Sequence, residues 1–273
     1  MTRRRLDAEL PRRGLARSRQ HAQGLIAAGA VVVKGVTSVK PATMVDGADP
    51  IHVRATENAY VSRGALKLIG ALDAFGSLRV QGRLALDAGA STGGFTEVLL
   101  ERGAAAVLAM DVGYGQLAWS LRQDPRVVVI ERTNVRYTVP TDLPWIPELV
   151  VADLSFISLK NVLPALAACS TAGADLVLLV KPQFEVGREQ VAQGVVRDVA
   201  LRRQAIMSIV DAVLAAGHVV QGVVASPLPG PRGNVEYFLW AAKVPPGLVR
   251  TGSVPDRAGI EDLVDSAIQA GPR

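Results

Sequence analysis

The feature that most constrains the fold is an apolar segment, residues 84–87, that ends in a carboxylate and runs directly into a glycine-rich turn. The turn reads Asp87-x-Gly89-x-x-x-Gly93-Gly94 and opens a helical pattern. Glycines allow the backbone to approach a bound ligand closely, and a strand followed by such a turn and a helix is typical of nucleotide-binding sheets. The chain is therefore predicted to hold a nucleotide-like ligand where this strand ends.

Strand and helix patterns alternate through most of the chain, which predicts an α/β fold with a mostly parallel sheet and helices on both faces. The predicted strands lie near 83–87, 105–111, 127–130, 149–153, 175–180, 218–226 and 234–243. The predicted helices lie near 63–75, 93–102, 114–122, 158–169 and 198–216. In such a sheet the ligand lies beyond the carboxyl ends of the strands, so the polar residues at those ends are expected to meet in one site.

Two kinds of nucleotide-like ligand compete for the turn. A dinucleotide oxidoreductase would need Gly-x-Gly-x-x-Gly, which residues 89–94 do not supply. A carboxylate directly before the turn suits a ligand that carries an ammonium and a sulfonium, and Asp111 can accept both hydroxyls of a ribose. We therefore predict S-adenosylmethionine as the cofactor. The predicted cofactor-binding residues are Asp87, Gly89, Ala90, Ser91, Thr92, Gly93, Gly94, Phe95, Asp111, Val112, Asn134 and Asp153.

Four polar residues stand where the sheet would present them to the same cleft. Lys67 belongs to a helix with an apolar stripe, and its ammonium is expected to leave that stripe for the rim of the sheet. Asp153 and Lys181 each follow an apolar strand, and Glu236 has apolar neighbours that would bury its carboxylate unless it is paired. Taken alone, Lys67 would more commonly be an ordinary solvated helix residue. Together, the four are predicted to be catalytic.

Positive charge is concentrated at the start of the chain. Residues 1–55 carry ten basic and four acidic side chains, a net charge of +6, whereas the remaining residues carry a net charge of −1. A solvated basic arm would explain this excess, but the segment is not of low complexity. It is therefore interpreted as a compact basic module that binds phosphates.

The basic segment has the pattern of a small helical and hairpin unit. Residues 31–36 and 39–45 are predicted to be two short strands, with turns at Lys34-Gly35 and Lys40-Pro41. The pattern over about residues 4–48 resembles the S4 RNA-binding domain, a small α+β unit. The resemblance implies that RNA is contacted by Arg4, Arg12, Arg13, Arg17, Arg19 and Gln23.

Five motifs of the larger region belong together. They are Ser62-Arg63-Gly64-Ala65-x-Lys67, the Asp87 turn, Asp153-Leu-Ser-Phe-Ile-Ser, Lys181-Pro-Gln-Phe-Glu185 and Gly233-Asn234-x-Glu236. In this spacing the chain resembles the TlyA family of rRNA 2′-O-methyltransferases, within the wider FtsJ/RrmJ group. The resemblance covers nearly the whole chain. It implies a Rossmann-like S-adenosylmethionine-dependent methyltransferase sheet with a Lys-Asp-Lys-Glu tetrad, and it adds Arg63 to the RNA-binding residues.

The same resemblance implies a function. The reaction would be methylation of a cytidine ribose 2′-hydroxyl in 16S and/or 23S rRNA of ribosomal subunits, associated with capreomycin and viomycin susceptibility. A ribose hydroxyl is a poor nucleophile that must be held in line with the methyl group and lose its proton. Lys181 could be a general base if Lys67 lowers its pKa, or it could orient the hydroxyl while Asp153 and Glu236 favour its charged form. Both roles stay open.

The composition divides the chain into four predicted parts. They are an S4-like RNA-binding domain (1–55), an interdomain linker (56–62), an FtsJ-like methyltransferase domain (63–245) and a C-terminal extension (246–273) with a helix over 256–269. Family members commonly have Arg-x-Trp-Val in the linker, where this chain reads Asn58-Ala59-Tyr60-Val61.

Further expectations concern partners and location. A single cysteine, Cys169, excludes an internal disulfide framework and fits a reducing cytoplasm. The histidines lack ligand spacing, so no metal is expected. No export signal or membrane-spanning stretch is recognised, and we expect a cytoplasmic monomer that binds rRNA and no membrane. One alternative is a non-catalytic RNA-binding ribosome-assembly factor. Another is a hemolysin-type membrane-active protein, and the lack of an apolar membrane-spanning stretch argues against it.

Overall fold

A computed structural model gives the fold, and the chain divides into two compact units, Met1–Ala59 and Tyr60–Arg273. The structure describes residues 3–16, 19–27, 29–38, 40–53, 60–187, 189, 191, 194–230, 232–243 and 255–271. Arg17 and most of the predicted linker therefore lie outside the described residues. Tyr60 and Val61 belong to the second unit, where Val61 donates its backbone N–H to Glu97 at 2.7 Å.

The first unit packs two helices against short strands. Its elements are β1 (Arg4–Arg5), α1 (Leu6–Arg12), α2 (Arg19–Ala27), β2 (Val31–Val33), β3 (Val36–Thr37), β4 (Met44–Val45) and β5 (Ile51–Val53). The helices bury Leu6, Leu10 and Ile26 against Val31 and Val45. Apolar spacing of one helical turn thus gives each helix a single inward face.

The predicted hairpin is only partly right. The Lys34-Gly35 turn does join β2 to β3, and both residues adopt the left-handed conformation that such tight turns require. The predicted strand over 39–45 is wrong: of its described residues, 40–45, only β4 is a strand, and it pairs with β1, while β5 flanks the other side of β2. Pro41 has no N–H for a ladder, and a turn from Lys40 to Thr43 interrupts the strand.

The second unit alternates strands and helices as predicted. Its first half holds α3 (Gly64–Phe75), β6 (Leu84–Ala88), α4 (Gly94–Glu101), β7 (Ala106–Met110), α5 (Trp119–Arg122), β8 (Val127–Ile130) and β9 (Leu149–Ala152). Its second half holds α6 (Leu163–Ala168), β10 (Asp175–Val180), α7 (Pro182–Glu185), α8 (Val199–Ala215), β11 (His218–Ala225), β12 (Tyr237–Lys243) and α9 (Arg257–Ala270).

In the described part of this unit, the strands form one sheet in the order β11-β12-β10-β9-β6-β7-β8. The five strands from β10 to β8 are parallel, and β12 runs antiparallel to both of its neighbours. β9 and β10 are buried along their whole length because apolar clusters cover both faces of the sheet. The predicted α/β architecture is confirmed.

Two predicted helices are shorter than expected. The helix predicted over 114–122 is only α5, because Gly113 and Gly115 weaken helix formation before it and Gly115 has a positive φ. The helix predicted over 158–169 is split into a 3₁₀ turn, Leu159–Asn161, and α6. Pro164 cannot donate a helical hydrogen bond, so it is accommodated only in the first turn of α6.

The predicted C-terminal helix is present as α9. Asp256 caps it by accepting the backbone N–H of Gly259, and its buried residues Ile260, Val264 and Ala267 join the core beside the sheet. Arg203 of α8 adds ion pairs to this helix. The helix is therefore an integral layer of the second unit.

Candidate active site

The parallel strands bring several polar side chains to one edge of the sheet. Ala152 lies beside Leu178 in the register, so Asp153 and Lys181 emerge close together after β9 and β10. Val180 lies beside Tyr237, which brings Glu236, the residue before β12, to the same edge. Residues far apart in the chain therefore converge because their strands end at a common level.

Two ion pairs organise the predicted tetrad. Lys67 Nζ lies 2.5 Å from Glu236 Oε2, and Lys181 Nζ lies 2.5 Å from Asp153 Oδ1. Both lysines are only 8% exposed and Glu236 is 1% exposed. The ammonium of Lys67 is thus buried against a carboxylate, as the predicted pairing of Glu236 requires. Each lysine nitrogen is therefore held in place by a carboxylate at hydrogen-bonding distance.

The glycine-rich turn passes directly beneath these pairs. Gly89 has a φ of 91°, and a Cβ at this position would collide with the backbone carbonyl of Asp153. Gly93 has a φ of 99°, and a Cβ there would meet the side chains of Leu117 and Leu121. Side chains are therefore excluded at both positions by the protein's own packing, and the backbone of Gly89 forms part of the wall of both cavities.

Asp111 is fixed by the turn and by its own loop. Its Oδ2 accepts the backbone N–H of Ser91 at 2.8 Å, and its Oδ1 accepts that of Gly113 at 2.7 Å. These charge-assisted hydrogen bonds set the orientation of the carboxylate. Asp111 is thereby placed at the end of β7 with its oxygens beside the turn, where a ribose would be held.

Asp87 lies beneath the turn and not in the cleft. It is fully buried, accepts the Thr96 hydroxyl at 2.6 Å, and has a second oxygen with no hydrogen-bond partner among the described residues. Burial raises the pKa of Asp87 to about 7, and the charges of Asp153 and Asp111 add to the shift. Direct contact between this carboxylate and a ligand in the cleft would require the turn to open.

Two adjoining cavities lie above the turn. The larger has a volume of about 1290 Å³ and the smaller about 240 Å³. Gly89, Ser91 and Asp153 line both, so the cavities meet beside the tetrad. Lys67 and Arg63 line the smaller one. The arrangement offers a large compartment and a small one with the Asp153 carboxylate at their junction.

The predicted cofactor residues are distributed between these cavities. The larger cavity is lined by Gly89, Ser91, Asp111, Val112, Asn134 and Asp153. The smaller is lined by Gly89, Ala90, Ser91, Thr92, Gly94, Phe95 and Asp153. Asp87 and Gly93 line neither. Asn134 Oδ1 accepts the backbone N–H of Arg136 at 3.0 Å, which leaves its amide N–H groups as donors towards a ligand.

Sequence reasoning missed three residues of the cleft. Phe156 is 91% exposed, has a φ of 65° and packs its ring 5.3 Å from that of Phe184. Ser155 accepts a hydrogen bond from Lys181 at 2.9 Å, and Gln183 donates to Glu236 at 3.4 Å. The available sequence signal was the aromatic residue Phe156, three positions after the strand-end carboxylate of Asp153. A strained backbone at such a position is typical of functional sites.

The predicted RNA-binding residues of the first unit fall into two groups. Arg13 bonds Glu9 and the backbone carbonyls of Asp46 and Asp49, and its side chain is 19% exposed. These bonds hold Arg13 within the unit and leave little of its side chain exposed. The more exposed members of the set that the structure describes are Arg4, Arg12, Arg19 and Gln23.

The exposed arginines rest on buried acids. Arg12 bonds Glu9 at 2.7 Å, and Arg12 and Arg13 together lower the pKa of Glu9 to about 2. Arg19 and Gln23 both donate to Asp7, whose pKa is lowered chiefly by Arg5. Buried carboxylates thus orient the guanidinium groups of Arg12 and Arg19. Both side chains stay about half exposed, so their remaining N–H groups are open to phosphates.

The polar groups of the larger cavity are those that bind organic ligands. They include the hydroxyl of Ser91 and the amide of Asn134. In the described residues, no cluster of three histidine, cysteine or acidic side chains has the arrangement of a metal site. The helices described are also too short or too polar to cross a membrane.

Comparisons with known proteins agree on the class of both units. A sequence model of the FtsJ-like methyltransferases matches residues 60–243, and a model of the S4 domain matches residues 4–51. The chain is 57% identical over 270 residues to the 16S/23S rRNA (cytidine-2′-O)-methyltransferase TlyA of Mycobacterium tuberculosis, covering 98% of both chains. It is 44% identical to YqxC of Bacillus subtilis, a candidate rRNA methyltransferase, covering 86% of this chain and 84% of that one.

A solved structure is also similar over the full length. A candidate hemolysin from Streptococcus thermophilus matches with a TM-score of 0.74 at 37% identity, covering 99% of this chain and 97% of the other. The two units described above are therefore found together, in the same order, in a related protein of nearly the same extent.

Proposed function

This chain is a member of the TlyA family of FtsJ-like S-adenosylmethionine-dependent rRNA (cytidine-2′-O)-methyltransferases, and we propose that its cleft methylates the 2′-hydroxyl of a cytidine in ribosomal RNA. The observation that carries the proposal is the presence of two ion pairs, Lys67–Glu236 and Lys181–Asp153, of whose residues Lys67 lines the smaller cavity and Asp153 lines both.

The larger cavity suits S-adenosylmethionine. The bare backbone at Gly89 allows close approach, Asp111 is oriented to accept ribose hydroxyls, and Asn134 has donors left for an acceptor on the ligand. When bound, this cofactor supplies a methyl group on a positively charged sulfur. Asp153 borders both cavities and would lie beside that charge, which favours binding of a sulfonium.

The tetrad suits a ribose hydroxyl as acceptor. Lys181 would donate a hydrogen bond to the 2′-oxygen and stabilise the negative charge that this oxygen gains as its proton leaves. The short distance from Lys181 to Asp153 fixes the position of the Lys181 nitrogen, which supports this orienting role. The bond between sulfur and the methyl group would break as the bond to the 2′-oxygen forms, S-adenosylhomocysteine would depart, and the proton would pass to a water molecule in the cleft. Lys67 and Glu236 form the second wall of the acceptor site and hold it free of bulk water.

The choice of RNA rests on the first unit and on the rim of the cleft. An S4 domain with exposed arginines suits the phosphates of structured RNA. Phe156 offers an exposed ring beside the cleft on which an unstacked base can lie. By analogy with the M. tuberculosis relative, whose name gives 16S and 23S rRNA, we propose these RNAs as the substrates. From the family resemblance we further propose that the protein acts on ribosomal subunits in the cytoplasm and that methylation confers susceptibility to capreomycin and viomycin.

The proposal is tested by incubating purified 30S and 50S subunits with the protein and methyl-labelled S-adenosylmethionine. We expect label in rRNA from at least one subunit, and mass mapping should place it on a cytidine ribose. Lys181→Ala is the matched negative control. A folded wild-type chain that binds the subunits and transfers no methyl group would instead support the alternative of a non-catalytic assembly factor.

A further inference from the structure

Lys181 differs from Lys67 in having two acceptors. Its ammonium lies 2.5 Å from Asp153 Oδ1 and donates to Ser155 Oγ at 2.9 Å. An ammonium has three N–H donors, and among the described residues this one has no third oxygen or nitrogen acceptor, although the face of the Phe184 ring lies 5.9 Å from its Nζ. Two bonds fix the rotation of the ammonium, so the third N–H has a defined direction.

We propose that Ser155 is a positioning residue for the reaction, which holds the Lys181 ammonium so that its remaining N–H meets the 2′-oxygen of the acceptor ribose. The inference rests on the proposed function and extends it to a residue outside the tetrad. Ser155 is exposed and lines the larger cavity, so its hydroxyl is not explained by core packing. The hydroxyl adds an acceptor without adding charge to the site.

The backbone that carries Ser155 is held at both ends. Asp153 binds Lys181 at the start of the segment, and Glu185 accepts the Ser158 hydroxyl and the Leu159 N–H at its end. Lys181 and Glu185 are themselves one helical turn apart, at the beginning and the end of α7. The segment after β9 is thus bonded to the segment after β10 at two places.

The turn within the segment from Asp153 to Leu159 is strained. Phe156, directly after Ser155, has a φ of 65°, a conformation that is costly for an aromatic residue. Such a conformation persists only where the surroundings enforce it, and the residue directly before it carries the hydroxyl that accepts from Lys181.

The chain contains a matched control for the same chemical pair. Lys160 donates to the Ser208 hydroxyl at 2.8 Å on an exposed surface, and neither residue lines the two cavities. If a serine beside a lysine contributed only to general stability, removing either hydroxyl would have the same small effect. The positioning role predicts that only Ser155 affects turnover.

The experiment compares the full-length wild type with Ser155→Ala, Ser155→Thr and Ser208→Ala on ribosomal subunits. We expect Ser155→Ala to lower kcat on the order of tenfold, because a hydrogen bond to a charged group is removed, while KM for RNA and the affinity for S-adenosylmethionine stay unchanged. Ser155→Thr keeps the hydroxyl and should restore most of kcat. Ser208→Ala should match the wild type.

Three results would overturn the inference. They are a Ser155→Ala kcat within twofold of wild type, an equal loss in Ser155→Ala and Ser155→Thr, and a loss that appears only as weaker cofactor or RNA binding. Because every variant is compared with an active wild type, these results leave the proposed function standing. A wild type that transfers no methyl group would overturn the proposed function and this inference together.

Discussion

The two ends of β10 carry the same chemistry in different settings. At its amino end, Asp175 accepts Arg83 at 2.6 Å and the Trp240 indole N–H at 2.8 Å, so both of its oxygens are used by the protein. At its carboxyl end, Lys181 is paired with Asp153, which lines both cavities. Both clusters are largely buried ion pairs on the same strand.

The difference lies in what the pairs leave open. Arg83 also donates to the backbone carbonyl of Glu148, so these hydrogen bonds of the cluster all join protein groups to one another. Lys181 has an N–H group that its bonds to Asp153 and Ser155 do not use. The Asp153 carboxylate is partly exposed beside both cavities. Buried charge alone therefore does not identify a functional site, because structural pairs have the same composition. Proximity to a cavity and unused hydrogen-bonding capacity separate the two.

The strongest contrast should come from Lys181→Ala. Removing the group that meets the 2′-oxygen is expected to lower kcat by about 10²–10⁴-fold, while the folded structure persists. Adding Lys67→Ala should cost little more, because groups that serve one transition state lose activity non-additively. Single-turnover methylation of ribosomal subunits measures the loss, and circular dichroism checks the fold. Near wild-type turnover in folded Lys181→Ala would remove the tetrad assignment.

Asp175→Ala should show the opposite behaviour. It leaves the largely buried Arg83 guanidinium without its carboxylate, and the free energy of unfolding should fall by about 3–5 kcal/mol. Turnover per folded molecule should stay close to that of the wild type. Denaturant unfolding and an activity assay at low temperature check the two statements separately. A folded variant without turnover would break the distinction between the ends of β10.

Asp111→Ala should affect binding more than chemistry. The ribose of the cofactor loses a charged acceptor, and the affinity for S-adenosylmethionine should weaken by about 1.5–3 kcal/mol. Calorimetry measures the affinity. Asp124→Ala serves as the matched control, because Asp124 is a loop carboxylate held by Arg126 and lines neither cavity. Equal affinities in the two variants would exclude Asp111 from the ribose role.

The smallest effects concern the first unit. Replacing Arg12 and Arg19 by Ala should reduce the slope of log affinity against log salt by about 0.7–0.9 for each RNA phosphate that is no longer neutralised. Arg13→Ala should mainly reduce the stability of the unit, because this side chain holds the carbonyls of Asp46 and Asp49. RNA binding measured over a range of salt concentrations separates the cases. An equal change of slope in Arg13→Ala would show that the structural assignment of Arg13 is wrong.

Much of the fold could be predicted because its strands are long apolar runs. The run over 175–180 is fully buried, and its length and end, marked by Lys181 and Pro182, are visible in the sequence. The strands of the first unit are two or three residues long, and their pairing depends on interactions between distant segments. The strand predicted over 39–45 failed for this reason, since β4 is held by β1.

The sequence predicted which residues belong to the site better than it predicted the contacts between them. Strand-end residues such as Asp153 and Lys181 converge in any parallel sheet of this order. The pairing of Lys67 with Glu236 joins residues 169 positions apart and depends on how α3 rotates against the sheet, which no local pattern records. The burial of Asp87 was missed because a carboxylate before a glycine turn has the same sequence whether it faces the ligand or lies beneath the turn.

The central claim is that the carboxyl end of β10 performs chemistry while its amino end holds the fold. It is tested most directly by nucleoside mass spectrometry of 2′-O-methylcytidine in rRNA, after ribosomal subunits are incubated with wild type, Lys181→Ala or Asp175→Ala at equal folded concentration. We predict new 2′-O-methylcytidine with the wild type and with Asp175→Ala, and none above background with Lys181→Ala. Methylation by folded Lys181→Ala at the wild-type rate, or its absence with folded Asp175→Ala, would contradict the account.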